Sequence, residues 1–390
     1  ATRRPAAPRD PADPAYDWSA YDRIVDAARA NRMNLMFTVW GTPTWAADPR
    51  VPADPSFPAF ATRPLSATDF GMFGAAAIAR YRPRGVRHWE AWNEPNIPLF
   101  MRPQYVERNG RLVPFSPALY ARMLKSFYRE AKAVAPSARI CGGVTAPAGD
   151  PVPSSTDSRI APLDFYARLA RSGRPKMDAI CHHPYPITKP RNRNFADASY
   201  VDLYNLDALI TAIDRSYLRG KPIWLTEFGF STESVPQYKL FFSQAKQASF
   251  LVDAFRRVRP GNRVGIFTWY IWQDNNDWKS GLLNVDGSPK RAFEAYALPA
   301  ATNRKVIRAG NSVTLTGQIR SATGRTRVQV QRRRPGRWIN VGLLRTSADG
   351  SFRARLSPSA TSRYRVVWRG KTRTGTTARR ASPSFRIRVK

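Results

Sequence analysis

The run from Trp89 to Asn96, Trp-Glu-Ala-Trp-Asn-Glu-Pro-Asn, limits the possible folds of this chain more than any other stretch. Aromatic and β-branched residues dominate 86–92, which predicts a buried strand. Pro95 cannot donate a hydrogen bond to a strand ladder, so the strand has to end there. Glu94 is therefore presented at the carboxyl end of a strand, the edge where parallel α/β proteins build their active sites.

The segment Ile223–Gly229 repeats this arrangement, since an apolar run leads to Glu227 and a glycine follows. Glu94 and Glu227 are far apart in sequence, so only a fold that aligns strand ends can bring them together. Retaining glycoside hydrolases hold two carboxyl groups about 5–5.5 Å apart, one as nucleophile and the other as acid and then base. We therefore interpret Glu94 and Glu227 as a catalytic pair.

The chain from 17 to 300 alternates strand and helix patterns, which is typical of a parallel sheet covered by helices. The predicted strands are Asn34–Trp40, Val86–Trp92, Arg139–Val144, Asp178–His183, Pro222–Phe228 and Gly265–Trp272. The predicted helices are 17–31, Asp69–Tyr81, Pro117–Val134, Leu163–Ser172, Leu203–Leu218, Leu240–Arg257 and Pro289–Tyr296. A closed barrel needs eight strands, and the lead at 1–16 is too rich in proline to supply two. Either the sheet is open, or the chain lacks its first strands.

The pattern changes at 303–390, where short segments alternate apolar and charged residues. Phe352 and Ala354 face one side of their predicted strand, while Arg353 and Arg355 face the other. The predicted strands are Ser312–Ile319, Thr326–Gln331, Trp338–Arg345, Ser351–Leu356, Arg363–Trp368 and Ser384–Val389. This predicts an all-β sandwich with one solvated face, immunoglobulin-like in size and strand spacing.

The net charge of +35 is concentrated in this C-terminal segment, since 303–390 holds 23 lysines and arginines against the single acid Asp349. The arginines can simply line the solvated face of the strands, or they can attach the protein to an anionic cell-envelope polymer by counterion release. Nucleic acid is disfavoured, because the arginines follow strand alternation and no recognition helix or RNA-binding signature is present. No stretch reaches the ~20 apolar residues of a membrane span.

The motifs Trp-Asn-Glu-Pro at 92–95 and Trp-Leu-Thr-Glu-Phe-Gly at 224–229 resemble those of the clan A retaining glycoside hydrolases, nearest to the family 39 and family 5 enzymes. The resemblance covers about 17–298 and implies a TIM (β/α)8-type barrel. It also implies that Glu94 is the general acid/base and Glu227 the nucleophile. No metal or organic cofactor is implied.

The resemblance further implies which residues bind the carbohydrate substrate. Asn93 corresponds to the residue that hydrogen-bonds the 2-hydroxyl of the sugar. His183 and Tyr185 belong to a segment that lies beside the catalytic pair. Trp272 corresponds to an aromatic platform for a sugar ring, and Trp45 to a substrate-lining loop.

The predicted strand at 34–40 corresponds to the third strand of the clan. Strands one and two, with the arginine that the clan usually keeps there, would then precede Ala1. We therefore expect a Pro-rich lead at 1–16, a barrel domain at 17–300 that lacks its first two strands, and a basic sandwich at 303–390.

Three other polar residues have structural interpretations. Glu90 lies two alternations before the catalytic position, so we expect a buried, paired structural carboxylate there. Adjacent His182 and His183 point to opposite sides of their strand. With His88 as the only other histidine, a zinc site is disfavoured.

Cys141 and Cys181 are the only cysteines, and both lie in apolar strands. Because free cysteines prefer protein cores, we expect two buried thiols rather than a disulfide. The first residue is Ala1 rather than methionine, which agrees with removal of an N-terminal segment. We expect a secreted or cell-surface attached protein.

The catalytic roles predict opposite protonation states for the two glutamates. The pKa of Glu94 should be raised, since it donates a proton, while Glu227 stays ionised with help from Tyr185. One alternative is a non-catalytic carbohydrate-binding protein, in which a degenerate barrel keeps only a sugar groove. Another is a basic adhesin or nucleic-acid binder, in which 303–390 is the working part.

Overall fold

The structure is a computed structural model that describes residues 2–186, 199–235, 239–258, 263–322 and 324–390. The chain forms two compact units. The first comprises Ala1–Phe228 and Arg263–Thr268, and the second comprises Gly229–Asn262 and Trp269–Lys390. The domain limits drawn from the sequence, at 17–300 and 303–390, stay predictions.

The first unit alternates helices and strands along the chain. Its elements are α1 (Ser19–Ala30), β1 (Met36–Val39), α2 (Ala67–Tyr81), β2 (His88–Ala91), β3 (Tyr105–Arg108), β4 (Arg111–Pro114), α3 (Ser116–Val134), β5 (Arg139–Thr145), α4 (Pro162–Arg171), β6 (Ala179–His182), α5 (Leu206–Asp214), β7 (Ile223–Leu225) and β8 (Val264–Phe267). Each of the six predicted strands is present, although most are shorter than predicted. The sequence patterns did not predict the hairpin of β3 and β4, which is exposed along much of its length.

One parallel sheet organises this unit, with the strand order β1-β2-β5-β6-β7-β8. Because β1 and β8 form its two edges, the sheet is open within the described residues and does not close as an eight-stranded barrel does. Six parallel strands confirm the barrel-like α/β class. That two strands of a barrel are missing stays an inference from the resemblance.

Helices α2 and α3 pack closely against each other. A Cβ on Gly71 would lie 2.2 Å from Ser126 Oγ, and one on Gly74 would lie 2.4 Å from the Phe127 ring, so only glycine permits this approach. The buried Tyr120 of α3 donates to the carbonyl of Ala91 at 2.7 Å and accepts from the backbone N–H of Gly143 at 3.0 Å. This hydroxyl therefore ties α3 to two neighbouring strands at the edge where Glu94 follows.

The Pro-rich lead is held by contacts with these two helices. Arg4 pairs with Asp69 of α2 at 2.5 Å, and Arg9 pairs with Glu130 of α3 at 2.7 Å. The lead is therefore held by ion pairs with both helices, although the lead itself forms neither helix nor strand.

The prediction of two free thiols is wrong, because Cys141 and Cys181 form a disulfide. In the register of β5 and β6, Cys141 lies opposite Ala179 and Gly143 opposite Cys181. The two cysteines are thus diagonal neighbours on one face of the sheet, with Cα atoms 5.7 Å apart, within the range that a disulfide spans. The preference of free cysteines for protein cores does not predict which residues lie beside each other on neighbouring strands.

The second unit contains two helices and the remaining strands. They are α6 (Gln244–Arg257), α7 (Arg291–Ala297), β9 (Ala300–Thr302), β10 (Val306–Ile307), β11 (Val313–Gln318), β12 (Arg327–Arg334), β13 (Arg337–Arg345), β14 (Ser351–Leu356), β15 (Ser362–Lys371), β16 (Thr377–Ala381) and β17 (Phe385–Val389). The six strands predicted in this segment are confirmed, whereas β9, β10 and β16 were not predicted. None of the described helices in either unit is long and apolar enough to cross a membrane.

Two sheets share one core in this unit. The larger has the order β10-β17-β15-β12-β13 with β16 beside β15, and the smaller has the order β14-β11-β9. Side chains from both sheets meet in a single apolar cluster, for example Leu315 and Phe352 with Val330, Val366 and Trp368. The inward residues alternate with arginines, which confirms a half-solvated β-sandwich.

The opposite face of the larger sheet is rich in arginine. Along β15, Tyr364, Val366 and Trp368 belong to the core, so Arg363, Arg365 and Arg369 point to the other side. Arginines face arginines across neighbouring strands: Arg327 with Arg345, Arg363 with Arg386, and Arg369 with Arg379. We call the face that carries these residues the outer arginine face.

Candidate active site

A tight turn at the end of β2 positions the first catalytic candidate, Glu94. After β2 the backbone of Trp92 and Glu94 adopts positive φ angles of 78° and 39°. Residues with side chains rarely adopt this left-handed conformation, and where they do, the site is often functional. The turn is anchored by Asn96, which is fully buried and bonds to the backbone of Ala146 and Ile160.

His183, immediately after β6, joins the two glutamates. Its Nδ1 lies 2.8 Å from Glu94 Oε1 and 3.8 Å from Glu227 Oε2. One oxygen of each carboxylate and a ring nitrogen of His183 all lie within 4.8 Å of one another. Tyr185 donates its hydroxyl to Glu227 Oε2 at 3.0 Å. The structure therefore brings together four of the predicted site residues.

The other ring nitrogen of His183 faces a second carboxylate. Its Nε2 lies 3.1 Å from Thr226 Oγ1 and 3.5 Å from Glu90 Oε1. The imidazole thus lies between three glutamates and is fully buried. We call Glu90, Glu94, His183 and Glu227 the acidic cluster.

The two adjacent histidines face opposite sides, as predicted. His182 lies 2.9 Å from Thr145 Oγ1 through Nδ1 and 3.0 Å from the carbonyl of Val201 through Nε2. Burial lowers its pKa to about 3, so His182 is a neutral structural residue. Burial alone would also lower the pKa of His183, but Glu227, Glu90 and Glu94 together raise it well above its ordinary value.

The predicted charge state of Glu227 needs a correction. Burial raises the pKa of Glu227 to about 7, and the charges of Glu94 and Glu90 act in the same direction. The His183 cation and the Tyr185 hydroxyl bond lower it, but they do not offset the other effects. Glu227 is therefore not simply an ionised group in the free protein, because three carboxylates compete for one buried cation.

Two polar atoms beside the cluster have no hydrogen-bond partner among the described residues, namely Glu90 Oε2 and Asn93 Oδ1. Asn93 is 6% exposed and directly precedes Glu94. Glu90 is 1% exposed, so the prediction of burial is confirmed, but among the described residues its only charged neighbour within ion-pair distance is His183. The expected pairing is therefore incomplete.

The two predicted aromatic platforms belong to different compact units of the chain. Trp45 sits in a short 3₁₀ helix, Thr44–Ala46, and lines a cavity of about 340 Å³ in the first unit. Trp92 also lines this cavity, but no member of the acidic cluster does. Trp272 belongs to the second unit and is 58% exposed, with its ring edge-on to Phe293.

The described residues contain one set of side chains with metal-like spacing, and it is Glu94, His183 and Glu227. However, His183 Nδ1 and Glu94 Oε1 face each other at hydrogen-bond distance rather than a common centre. This contact suits proton transfer between Glu94 and His183.

Sequence reasoning missed the contact of Thr226 with His183. The signal was available in part, because Thr226 follows Trp224 by two residues and so shares its face of the strand. That Thr226 contacts His183 could not be inferred, because the contact depends on where strand β6 ends relative to strand β7.

Comparison with known proteins supports the barrel assignment. Residues 174–296 match the family described as the glycosyl hydrolase catalytic core. This range includes His183, Tyr185, Glu227 and Trp272 and begins after Glu94. No curated protein is significantly similar in sequence to this chain.

Solved structures with a similar fold include several glycosidases. A glucosidase from Croceicoccus marinus has a TM-score of 0.52 and 14% identity, covering 91% of this chain and 82% of its own. A family 44 xyloglucanase from Paenibacillus polymyxa has a TM-score of 0.46 and 11% identity, with coverages of 88% and 82%. A family 44 endoglucanase from Clostridium thermocellum has a TM-score of 0.44 and 12% identity, with coverages of 86% and 82%. Only the glucosidase has a TM-score above 0.5, and at 14% identity this similarity shows a shared fold alone.

The match to the glycosyl hydrolase catalytic core identifies the class of this protein. It is a glycosidase.

Proposed function

We propose that this protein is a retaining glycosidase that cleaves β-linked oligo- or polysaccharides by double displacement, as in clan A and its families 39 and 5. The observation that supports this most is the short separation of the two carboxylates. Oxygens of Glu94 and Glu227 lie within 4.8 Å, close to the spacing of retaining enzymes and well short of the ~6.5–9.5 Å of inverting ones.

The hydrogen bonds around Glu227 suit a nucleophile. Tyr185 holds Oε2, which leaves Oε1 available to attack the anomeric carbon. About a quarter of the side chain, 26%, stays exposed, so a substrate can reach it. When the glycosyl–enzyme bond forms, Glu227 loses its charge, and one carboxylate is removed from an overcrowded site.

Glu94 is suited to the acid and base roles. His183 contacts Oε1, so Oε2 remains free to carry the proton that goes to the leaving oxygen. After that transfer the imidazolium of His183 stabilises the Glu94 carboxylate, which then accepts a proton from water in the second step. Asn93, with an unpartnered buried oxygen, would contribute the bond to the 2-hydroxyl.

The reaction can be tested on a panel of aryl α- and β-glycosides by following the first-formed sugar with proton NMR. A retaining β-glycosidase releases the β-anomer before mutarotation. Release of the α-anomer from a β-glycoside would rule out double displacement. Glu94→Ala should retain activity on substrates with good leaving groups, whereas Glu227→Ala should not. Equal losses on good and poor leaving groups for Glu94→Ala would contradict its role as the acid.

A second proposal concerns the outer arginine face, which we propose binds an anionic cell-envelope polysaccharide. Like charges directly opposite each other on a sheet are destabilising. Three such arginine pairs lie on this face, and within the described part of 303–390 the only ion pair is Arg380 with Glu294. Trp338 adds an aromatic surface there, with the Arg365 guanidinium 4.4 Å from its ring centroid. A glycan is favoured over nucleic acid because the same chain carries a glycosidase site.

A comparison of two matched double variants distinguishes this second proposal from a simple effect of net charge. Arg363 and Arg386 face each other on the outer arginine face, whereas Arg353 and Arg355 lie on β14 in the other sheet. Changing either pair to glutamine removes the same charge. We expect only Arg363→Gln with Arg386→Gln to weaken retention on an acidic polysaccharide resin. Equal weakening by both pairs, or stronger competition by single-stranded DNA than by the polysaccharide, would contradict the proposal.

We also propose that the protein is secreted or attached to the cell surface, with 303–390 as an immunoglobulin-like accessory domain. The disulfide supports export, since disulfides persist mainly in oxidising compartments. Fractionation of cells that express the protein, followed by thiol labelling, tests the export and the disulfide. A reduced protein in the cytosolic fraction would contradict both.

A further inference from the structure

We propose that Glu90 is a positioning residue for the reaction: it keeps His183 in the imidazolium form, so that the Nδ1–H always donates to Glu94 Oε1. The catalytic proton of Glu94 is then carried on Oε2, toward the leaving group. The catalytic consequence of this inference rests on the proposed glycosidase function, whereas the protonation state of His183 can be measured without turnover.

The position of Glu90 in the sheet is the first argument. In the register of β1, β2 and β5, Glu90 lies between Thr38 and Cys141 and is 1% exposed. A lone buried carboxylate would be protonated or paired. Its Oε1 lies 3.5 Å from His183 Nε2, an ion-pair distance, and its Oε2 has no partner among the described residues. The carboxylate therefore depends on His183 for its charge balance.

The second argument is the set of acceptors around His183. Thr226 can donate or accept through its hydroxyl, so it does not decide whether Nε2 carries a proton. Ionised Glu90 can only accept, which favours a proton on Nε2. Glu94 and Glu227 face Nδ1 in the same way. An imidazolium satisfies both sides of the ring, whereas a neutral ring would turn one lone pair toward a carboxylate.

The other described groups around this cluster do not supply another cation. Tyr120 of α3 and Tyr166 of α4 lie near Glu90, but burial raises the pKa of both hydroxyls, and each donates to a backbone carbonyl. Tyr185 donates to Glu227. Among the described residues, no lysine or arginine forms an ion pair with any of the three glutamates. His183 is therefore the cation that the whole cluster shares.

The consequence for catalysis follows from the two oxygens of Glu94. If His183 were neutral with a bare Nδ1, the acid proton of Glu94 would settle on Oε1, between the carboxyl and the ring. An imidazolium occupies Oε1 with its own proton, so the added proton must sit on Oε2. In Glu90→Gln the positive charge of His183, 2.8 Å from Glu94, is lost together with the more distant charge of Glu90, so the catalytic proton is held more tightly.

Nitrogen NMR of the ring tests the first step directly. In the wild-type protein at pH 7, the two ¹⁵N shifts of His183 should be those of an imidazolium, and in Glu90→Gln they should be those of a neutral ring. A neutral His183 in the wild-type protein would overturn the proposal, even if Glu90→Gln failed to fold. The measurement does not depend on glycosidase activity, so failure of the proposed function would leave it intact.

The pH profile of kcat/KM tests the second step. In Glu90→Gln the basic limb should move to higher pH by about one unit, because the neighbouring His183 cation, which favours release of the acid proton, is lost. Glu130→Gln serves as the control, since Glu130 is a buried glutamate of the same unit that pairs with Arg9 rather than with the cluster. A lower kcat with an unmoved basic limb would show a merely structural role for Glu90 and overturn the proposal.

Discussion

The acidic cluster of the first unit and the outer arginine face of the second are opposite solutions to the placement of like charges. The cluster holds three carboxylates around one fully buried imidazolium, and Glu227 keeps about a quarter of its side chain, 26%, exposed. The face spreads arginines over an exposed sheet, with few carboxylates near them. Burial strengthens the interaction between charges, whereas exposure lets water and salt weaken it.

This difference teaches where single residues matter. In the cluster, the three glutamates together raise the pKa of His183, and the charges of Glu94 and Glu90 help to raise that of Glu227, so one substitution alters the whole site. On the face, each arginine contributes a similar small amount, and only the sum is effective. The following predictions test this contrast, beginning with the largest expected effect.

Replacement of Glu227 by alanine should lower kcat on the order of 10⁴-fold or more, because the nucleophile is lost. The same substitution should leave the thermal unfolding midpoint unchanged or raise it, since one of three crowded carboxylates is removed. Steady-state kinetics and calorimetry check both effects. A large loss of stability together with the loss of activity would mean that Glu227 is a structural residue.

The disulfide next to the cluster should contribute stability. Cys141 and Cys181 are separated by 40 residues, and closing a loop of this length stabilises the folded state by about 3–4 kcal/mol. The Cys141→Ala, Cys181→Ala variant should therefore unfold at lower denaturant concentration. An unchanged midpoint in urea would indicate that the two thiols are not joined in solution.

Salt should distinguish the two regions sharply. Retention on an acidic polysaccharide should fall 10-fold or more between 50 and 200 mM salt, with a slope that decreases by about 1 for each arginine removed from the face. Hydrolysis of a neutral aryl glycoside should barely respond over the same range, since the cluster is buried. Similar salt dependence of both measurements would break the comparison.

The acid limb of kcat/KM should lie near pH 7. Glu227 must be ionised to attack, and burial raises its pKa to about 7. A carboxyl with a raised pKa in the folded protein stabilises it at low pH and loses this contribution as pH rises through 7. Glu227→Gln should therefore remove a decline in stability between about pH 5 and pH 8. A pH-independent stability difference between the two proteins would contradict the raised pKa.

The smallest effect is expected for a single exposed arginine. Arg379→Ala removes one member of a like-charged cross-strand pair and should change the free energy of unfolding by no more than about 0.5 kcal/mol. Chemical denaturation checks this value. A decrease in the free energy of unfolding above about 1.5 kcal/mol would mean that Arg379 makes specific stabilising contacts on this face.

Much of the fold was predictable from local patterns. Strand β2, helix α3 and the alternating strand β14 coincide closely with the predicted segments, since burial of one face dictates their periodicity. The placement of both glutamates at strand ends was also predictable, because it depends on the residues next to them. The short strands β9, β10 and β16 were not, since their pairing is decided by partners far away in sequence.

Part of the site was predictable, namely that Glu94, Glu227, His183 and Tyr185 lie together, but its charges were not. That His183 faces both glutamates follows from strand alternation combined with the order of strands in the sheet. The raised pKa of Glu227 and the bond between Cys141 and Cys181 depend on distances across strands, which composition and periodicity do not contain. The involvement of Glu90 with His183 is of the same kind.

The central claim is that Glu227 forms a covalent bond with the sugar, and trapping that bond is its most direct test. A 2-deoxy-2-fluoro β-glycoside with a good leaving group forms such an intermediate quickly and releases it slowly. Mass spectrometry of the digested protein should then show the added sugar on the peptide that contains Glu227. A label on the peptide that contains Glu94, or turnover without any labelled peptide, would contradict the account.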